Sequence, residues 1–302
     1  MRKFAKFVII ISILLLISGA GLTVLAYKRN EFKNTGGNEV IKNYDFEENI
    51  ENINIDVETT DVIIKYVEGT KCKIECIEKE KVYHSVAVKD NVLTVNQNDT
   101  RKWYQKYIFN FDFRFNYKVT ISLPKATCNN LVIKTSTGDV KLESGLTYND
   151  VKINGSTGDV VISDTNMKSL NVETSTGNFT LKNAKIDGNI TYNSSTGDVK
   201  LEKVNSNNIN LTTSTGDVTF NDTIAKENIE IKSSTGDVSF TDSDANTLNI
   251  ATSTGDVEGT LLTEKTFHTE TSNGYVKVPQ GTTGGSCTIK TSTGDIIISV
   301  SK

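Results

Sequence analysis

Seven aspartates, Asp139, Asp159, Asp198, Asp217, Asp237, Asp256 and Asp295, are separated by 19 or 20 residues or by the sum of two such steps. Each closes a copy of the tetrapeptide Ser-Thr-Gly-Asp. Copies and close variants begin at Ser136, Ser156, Ser175, Ser195, Ser214, Ser234, Ser253, Ser272 and Ser292, with Asn178 and Tyr275 standing where two of them would carry the acid. If the copies stack, the carboxylates form a column with neighbours about 4.8 Å apart. Like charges at that spacing repel by roughly 1 kcal/mol per pair in water. Two chemistries relieve the repulsion. A hard cation such as Ca²⁺ can bridge stacked carboxylates, or hydroxyls and backbone N–H groups of adjacent coils can donate to each one. The nonapeptide calcium repeat is absent, so the second is expected; no metal or cofactor is expected, and the cation column is the alternative.

Other reactive groups are few. The histidines are His84 and His268, and neither has a nucleophile near it in the sequence. Cys72 and Cys76 flank Ile74 at period two, which places all three on one strand face as buried small hydrophobes, too far apart along the strand for a disulfide. Cys128 and Cys287 are isolated, and with two histidines and no second closely spaced cysteine pair a zinc site is not expected. The acidic residues are periodic rather than convergent, so no catalytic residues are assigned and the chain is read as a non-enzyme. A formal net charge of −4 without Lys/Arg clusters argues against nucleic acid.

The elements that would carry the column follow from the flanks. Apolar residues alternate before each motif, as in Leu131/Ile133, Val151/Ile153, Ile209/Leu211 and Leu248/Ile250, and again after it, as in Val199/Leu201 and Val218/Phe220. That alternation describes half-buried strands. Each unit is expected to be strand, tight turn, strand and a loop of about eight residues, with the motif glycine at the positive-φ position of a type II turn. Stacking the units in sequence order gives an all-β, single-stranded parallel β-solenoid of about nine to ten coils of 19–20 residues, in which identical strands pair. A decayed further copy is visible at Thr59-Thr60-Asp61-Val62. Thr135, Thr174, Thr213, Thr252 and Thr291 share parity with the apolar columns and should point inward, unlike the outward threonines of ice-binding solenoids.

Ahead of the repeats, Tyr107, Phe109, Phe111, Phe113, Phe115 and Tyr117 alternate with polar residues, the pattern of a strand with one aromatic face. That strand is expected to form a cap or lid, and an exposed aromatic face would instead be a binding surface. At the N-terminus, Arg2, Lys3 and Lys6 precede a 21-residue apolar run, Phe7 to Tyr27, closed by Lys28 and Arg29. A helix of that length matches a bilayer core. Val24-Leu25-Ala26 could serve as a signal-peptide cleavage site, but signal h-regions usually stop at about 15 residues. The expected organisation is a cytoplasmic segment 1–6, a transmembrane helix 7–27, a tether 28–46, an irregular β region and cap 47–128, and regular repeats 129–302.

Tyr117 to Pro124, the alternating strand from Leu131 and the repeated Thr-Ser-Thr-Gly-Asp-Val resemble the putative-adhesin family of bacterial domains of unknown function with β-strand repeats. The resemblance covers residues 47–302 and implies an extracytoplasmic, non-enzymatic envelope protein; it carries no catalytic residues. The expected role is a surface interaction or adhesin-like solenoid at the cell membrane, single-pass through residues 7–27, with the N-terminus cytoplasmic and the repeats extracellular, facing a cell-wall polymer or a protein. The alternative is an envelope-stress or signalling accessory that binds another membrane protein.

Overall fold

Alternating Val, Ile and Leu favour extended chain, and a coil that buries one face needs a neighbour to bury it against. The computed structural model answers that need with parallel strands throughout the repeats, and it describes residues 2–28, 37–103, 115–124, 127–281 and 283–301. The chain divides into two units: residues 1–40, 78–83 and 98–116, and residues 41–77, 84–97 and 117–302.

The first unit contains the helix α1, Arg2–Lys28. Among the described residues no helix is long and apolar enough to cross a membrane, a task needing about 20 consecutive apolar residues. The transmembrane helix expected at residues 7–27 is therefore not supported as a span. The same unit includes an antiparallel turn in which Lys79 pairs with Val82, and the Arg101 guanidinium gripping the Asp99 carboxylate through two bonds of 3.0 and 2.8 Å.

The second unit is an all-β parallel solenoid of about eight turns. In chain order the first strands are β1 (Glu39–Phe46), β2 (Asn52–Val57), β3 (Thr60–Tyr66), β4 (Cys72–Lys79), β5 (Val82–Lys89), β6 (Val92–Asp99), β7 (Tyr117–Leu123), β8 (Thr127–Thr135) and β9 (Val140–Leu142). Eight more, β10 (Thr147–Asn154) to β17 (Ile224–Lys232), continue the stack, followed by β18 (Val238–Ala251), β19 (Val257–Leu261), β20 (Lys265–Asn273), β21 (Val276–Lys277), β22 (Gly285–Thr293) and β23 (Ile296–Val300). β1 occupies much of the segment expected to be a tether, because Val40, Lys42, Tyr44 and Phe46 alternate with more exposed residues and the strand pairs with β4.

Like residues lie on like: Ile209 on Ile229 on Leu248, Phe220 on Phe240 with ring centroids 5.0 Å apart. The inward columns merge into one core in which Ile133, Ile153, Val172, Leu211 and Ile231 are buried. The expected eight-residue loops are mostly strand. β15 (Val199–Thr212) and β18 run unbroken through the corner for 14 residues each, and the chain bends at a left-handed residue, Asp164, Asn183, Lys203, Asp222 or Asp242, with φ between 45 and 55°. Asn and Asp tolerate that conformation best, which explains four of the five.

Sequence order and stacking order differ at both ends. β2 lies between β6 and β8, and β3 between β7 and β9, so the coil of residues 52–66 stacks directly on that of residues 127–142. At the other end β22 lies between β18 and β20, and β23 between β19 and β21. The coil of residues 285–300 is therefore inserted inside the coil that precedes it in the chain. Strictly sequential stacking, as expected from the repeat, holds only between these ends.

Candidate functional site

The motif edge is a ladder rather than a row of tight turns. Thr137, Thr157, Thr176, Thr196, Thr215, Thr235, Thr254 and Thr293 form one continuous column of parallel bridges, the eight rungs of the regular stack. From Thr157 to Thr293 the threonine N–H donates to the preceding motif serine carbonyl, as Thr157 does to Ser136 at 2.9 Å, while Thr137 donates to Glu58, and the glycine N–H donates forward, as Gly138 does to the Thr157 carbonyl at 3.1 Å.

The motif glycines have φ of 133–149° at Gly158, Gly177, Gly197, Gly216, Gly236, Gly255 and Gly294. A type II turn needs about 80°, so the expected turn type is corrected. Close approach is the stronger requirement: a Cβ on Gly216 would lie 2.1 Å from the Gly197 carbonyl oxygen.

The aspartate column is satisfied by backbone amides. Asp61 Oδ1 accepts the Asp139 N–H, Asp139 that of Asp159, Asp159 that of Asn178, and the series continues through Asp198, Asp217, Asp237, Asp256 and Asp295 to Tyr275, every contact 2.7–2.9 Å. The donors are the amides alone, not the hydroxyls that the sequence also allowed. Both departures from aspartate now have a reason. Asn178 keeps an acceptor oxygen, used by Asp198 N–H at 2.9 Å. Tyr275 offers none, but it occupies the last rung, where no further motif amide follows.

Outward from this ladder the motif serines and threonines are exposed on every rung from Ser136 to Thr293. The threonines one residue before each motif point inward as expected: Thr135, Thr213, Thr252 and Thr291 are buried, and Thr174 is half-buried. The hydroxyl of Thr213 donates to the Thr215 carbonyl at 3.3 Å, which closes the corner from inside.

Of the aromatic strand, Tyr107, Phe109, Phe111 and Phe113 lie outside the described residues. Phe115 is half-buried with the Lys79 ammonium 4.6 Å from its ring centroid. Tyr117 opens β7 and is buried, 5% exposed, so it is core rather than binding surface; its parity with Val119 and Ile121 turns it inward. The four cysteines are buried, and burial pushes the Cys72 and Cys287 thiols up to about 12.

One charged cluster escaped the sequence reading. Lys265 Nζ lies 2.7 Å from Asp244 Oδ1, Thr263 Oγ1 donates to Asp244 Oδ2 at 2.6 Å, and Lys265 also donates to Thr263 Oγ1 at 2.5 Å. The lysine and aspartate side chains are 3% and 9% exposed. They line the floor of a groove of about 580 Å³ that Asn246, Glu264 and Gly284 also border. The signal available in the sequence was a charged residue in place of an apolar one next to a corner.

Comparison with known proteins follows the same repeats. The Toastrack DUF4097 profile matches residues 50–189 and 182–302. No protein with a curated description matches the chain. Among solved structures, a putative adhesin from Bacteroides fragilis is 21% identical, covers 86% of this chain and 97% of its own, and superposes with a TM-score of 0.48. A putative lipid binding protein from Parabacteroides distasonis is 15% identical over 87% of this chain and 98% of its own, also at 0.48. A putative adhesin from the same species is 13% identical over 86% and 97%, at 0.46.

Proposed function

We propose, on the premise that this chain belongs to the Toastrack DUF4097 family, that it is a non-enzymatic interaction protein that presents the Ser-Thr-Gly-Asp edge of its solenoid to a cell-wall polymer or a protein outside the cell. One observation carries the reading: the exposed hydroxyls of Ser136 to Thr293 repeat over eight rungs on a backbone whose own groups are already paired. Such an edge is rigid and polar, and its serine and threonine hydroxyls are free to face a ligand that is itself repetitive. A convergent constellation of base and nucleophile, which catalysis needs, is absent from the motif edge.

The same proposal keeps the chain at the cell membrane through residues 7–27, seated in the lipid without the span that no described helix provides. Support comes from the apolar run in the sequence and from the exposure of Leu14, Leu15, Leu16, Ile17 and Leu22 along α1. Alkaline carbonate extraction should leave the full chain in the membrane fraction, and protease added to intact cells from which the wall has been removed should cleave the repeats. Release into the soluble fraction, or protection from the protease, would refute the anchored display.

For the ligand, a photo-crosslinking residue placed at Ser195 or Ser214 in living cells reads what touches the edge. Capture of wall glycan supports the proposal. Capture of one membrane protein, reproduced from both positions, would instead make the chain an envelope-stress or signalling accessory.

A further inference from the structure

The coil of residues 285–300 occupies a slot whose two walls are other parts of the same chain. Its inner wall is the β18/β19 coil and its outer wall the β20/β21 coil, and the inserted strands pair with both. The walls are also tied directly to each other by the buried Lys265–Asp244 and Thr263–Asp244 contacts at the corner. Those ties involve no residue of the insert, so the slot has a hinge pin of its own.

The slot is keyed to one sequence. A Cβ on Gly285 would lie 1.7 Å from the Asn246 carbonyl oxygen of the inner wall, and one on Gly284 would lie 1.9 Å from the Glu264 carbonyl oxygen of the outer wall. The outer-wall coil carries Lys265 at this height, so the close approach of the Gly284–Gly285 pair is open to these glycines and not to a lysine. Only the short link after Val278, which contains Pro279 and Gly281, joins the insert to the outer wall.

We propose that this slot is a strand-acceptor site and that its occupant, residues 285–301, is exchanged between two copies of the chain. Every contact the insert makes in its own chain it makes identically in a partner, so exchange costs little beyond association itself. An identical chain brings the same Gly284–Gly285 pair to the slot.

The test uses two full-length chains in detergent, one with Ala251→Cys and the other with Lys290→Cys. Ala251 and Lys290 are register partners across the inner wall and both are exposed. Paired strands lie about 4.8 Å apart, within disulfide range. Mixed, co-refolded at rising concentration and oxidised, the pair should give a covalent heterodimer several-fold above a control of Thr212→Cys with Lys290→Cys, equally exposed but not adjacent. Deleting Pro279 to Gly281 should raise the yield further. A single chain bearing both Ala251→Cys and Lys290→Cys must form its internal disulfide, which verifies folding and register. A heterodimer signal no greater than the control at every concentration overturns the proposal.

Discussion

Asp295 donates its backbone N–H to Oδ1 of Asp256 at 2.7 Å although 39 residues separate them, and the motif copy between them in the chain, ending at Tyr275, lies on the far side of Asp295. That single relationship fixes the stacking order at this end of the solenoid. It also shows how the column works: each side chain serves the next rung, and the last rung has nobody to serve.

A column built on amide–carboxylate contacts needs an acceptor oxygen more than it needs charge. Asp217→Asn should therefore change unfolding free energy by less than about 0.5 kcal/mol, while Asp217→Leu, which strands the Asp237 N–H, should cost about 1–2 kcal/mol. Chemical denaturation of both variants decides it, and equal losses would refute the acceptor role.

The glycine column predicts a larger effect. Gly216→Val puts a side chain into the Gly197 carbonyl and demands φ of 136° from a β-branched residue. A loss of more than about 3 kcal/mol is expected. A thermal melt like that of the parent would contradict the close approach.

Because backbone amides already satisfy the carboxylates, divalent cations should add little. Millimolar Ca²⁺ after chelation should shift the melting temperature no more than matching ionic strength of NaCl does. A site occupied at a hundredfold excess over Kd would add about 2.7 kcal/mol. A rise of many degrees specific to Ca²⁺ and lost in the double variant Asp217→Asn with Asp237→Asn would establish the cation column instead.

Removing one partner of the buried pair should be costly, and replacing both should not. Lys265→Met leaves the Asp244 carboxylate buried without its cation, and about 3–5 kcal/mol should be lost. Adding Asp244→Leu to it should recover most of that. Denaturation midpoints of the two variants test the coupling.

The thiols of Cys72 and Cys287 stay protonated in the fold up to about pH 12, whereas in the unfolded chain they ionise near 8.5. Their contribution to stability is complete below about pH 8.5 and is lost as pH rises toward 12, since unfolding then releases protons. Native protein at pH 8 should leave a thiol reagent unreacted until denaturant is added. Rapid labelling of Cys287 in folded protein would contradict its burial.

Much of this molecule was legible from residue types alone. Period-two alternation dictated half-buried strands with an inward Thr213 and an outward Ser214, and the 19–20-residue spacing dictated that coils stack in register, parallel strand on strand. Even the corner was written there, since Asp164, Asn183, Asp222 and Asp242 recur at the same spacing behind the motif. Near-identical coils have near-identical faces, however, so pattern alone says which surfaces pair but not which copy pairs with which. Tertiary structure decided that. At one end the complete motif ending in Asp295, with its Gly284–Gly285 corner, takes the place next to Asp256, and the copy lacking an acceptor at Tyr275 takes the outermost place, where none is needed. The same kind of long-range choice put Asp61 beside Asp139, a contact between residues too far apart in the chain for any local pattern to announce.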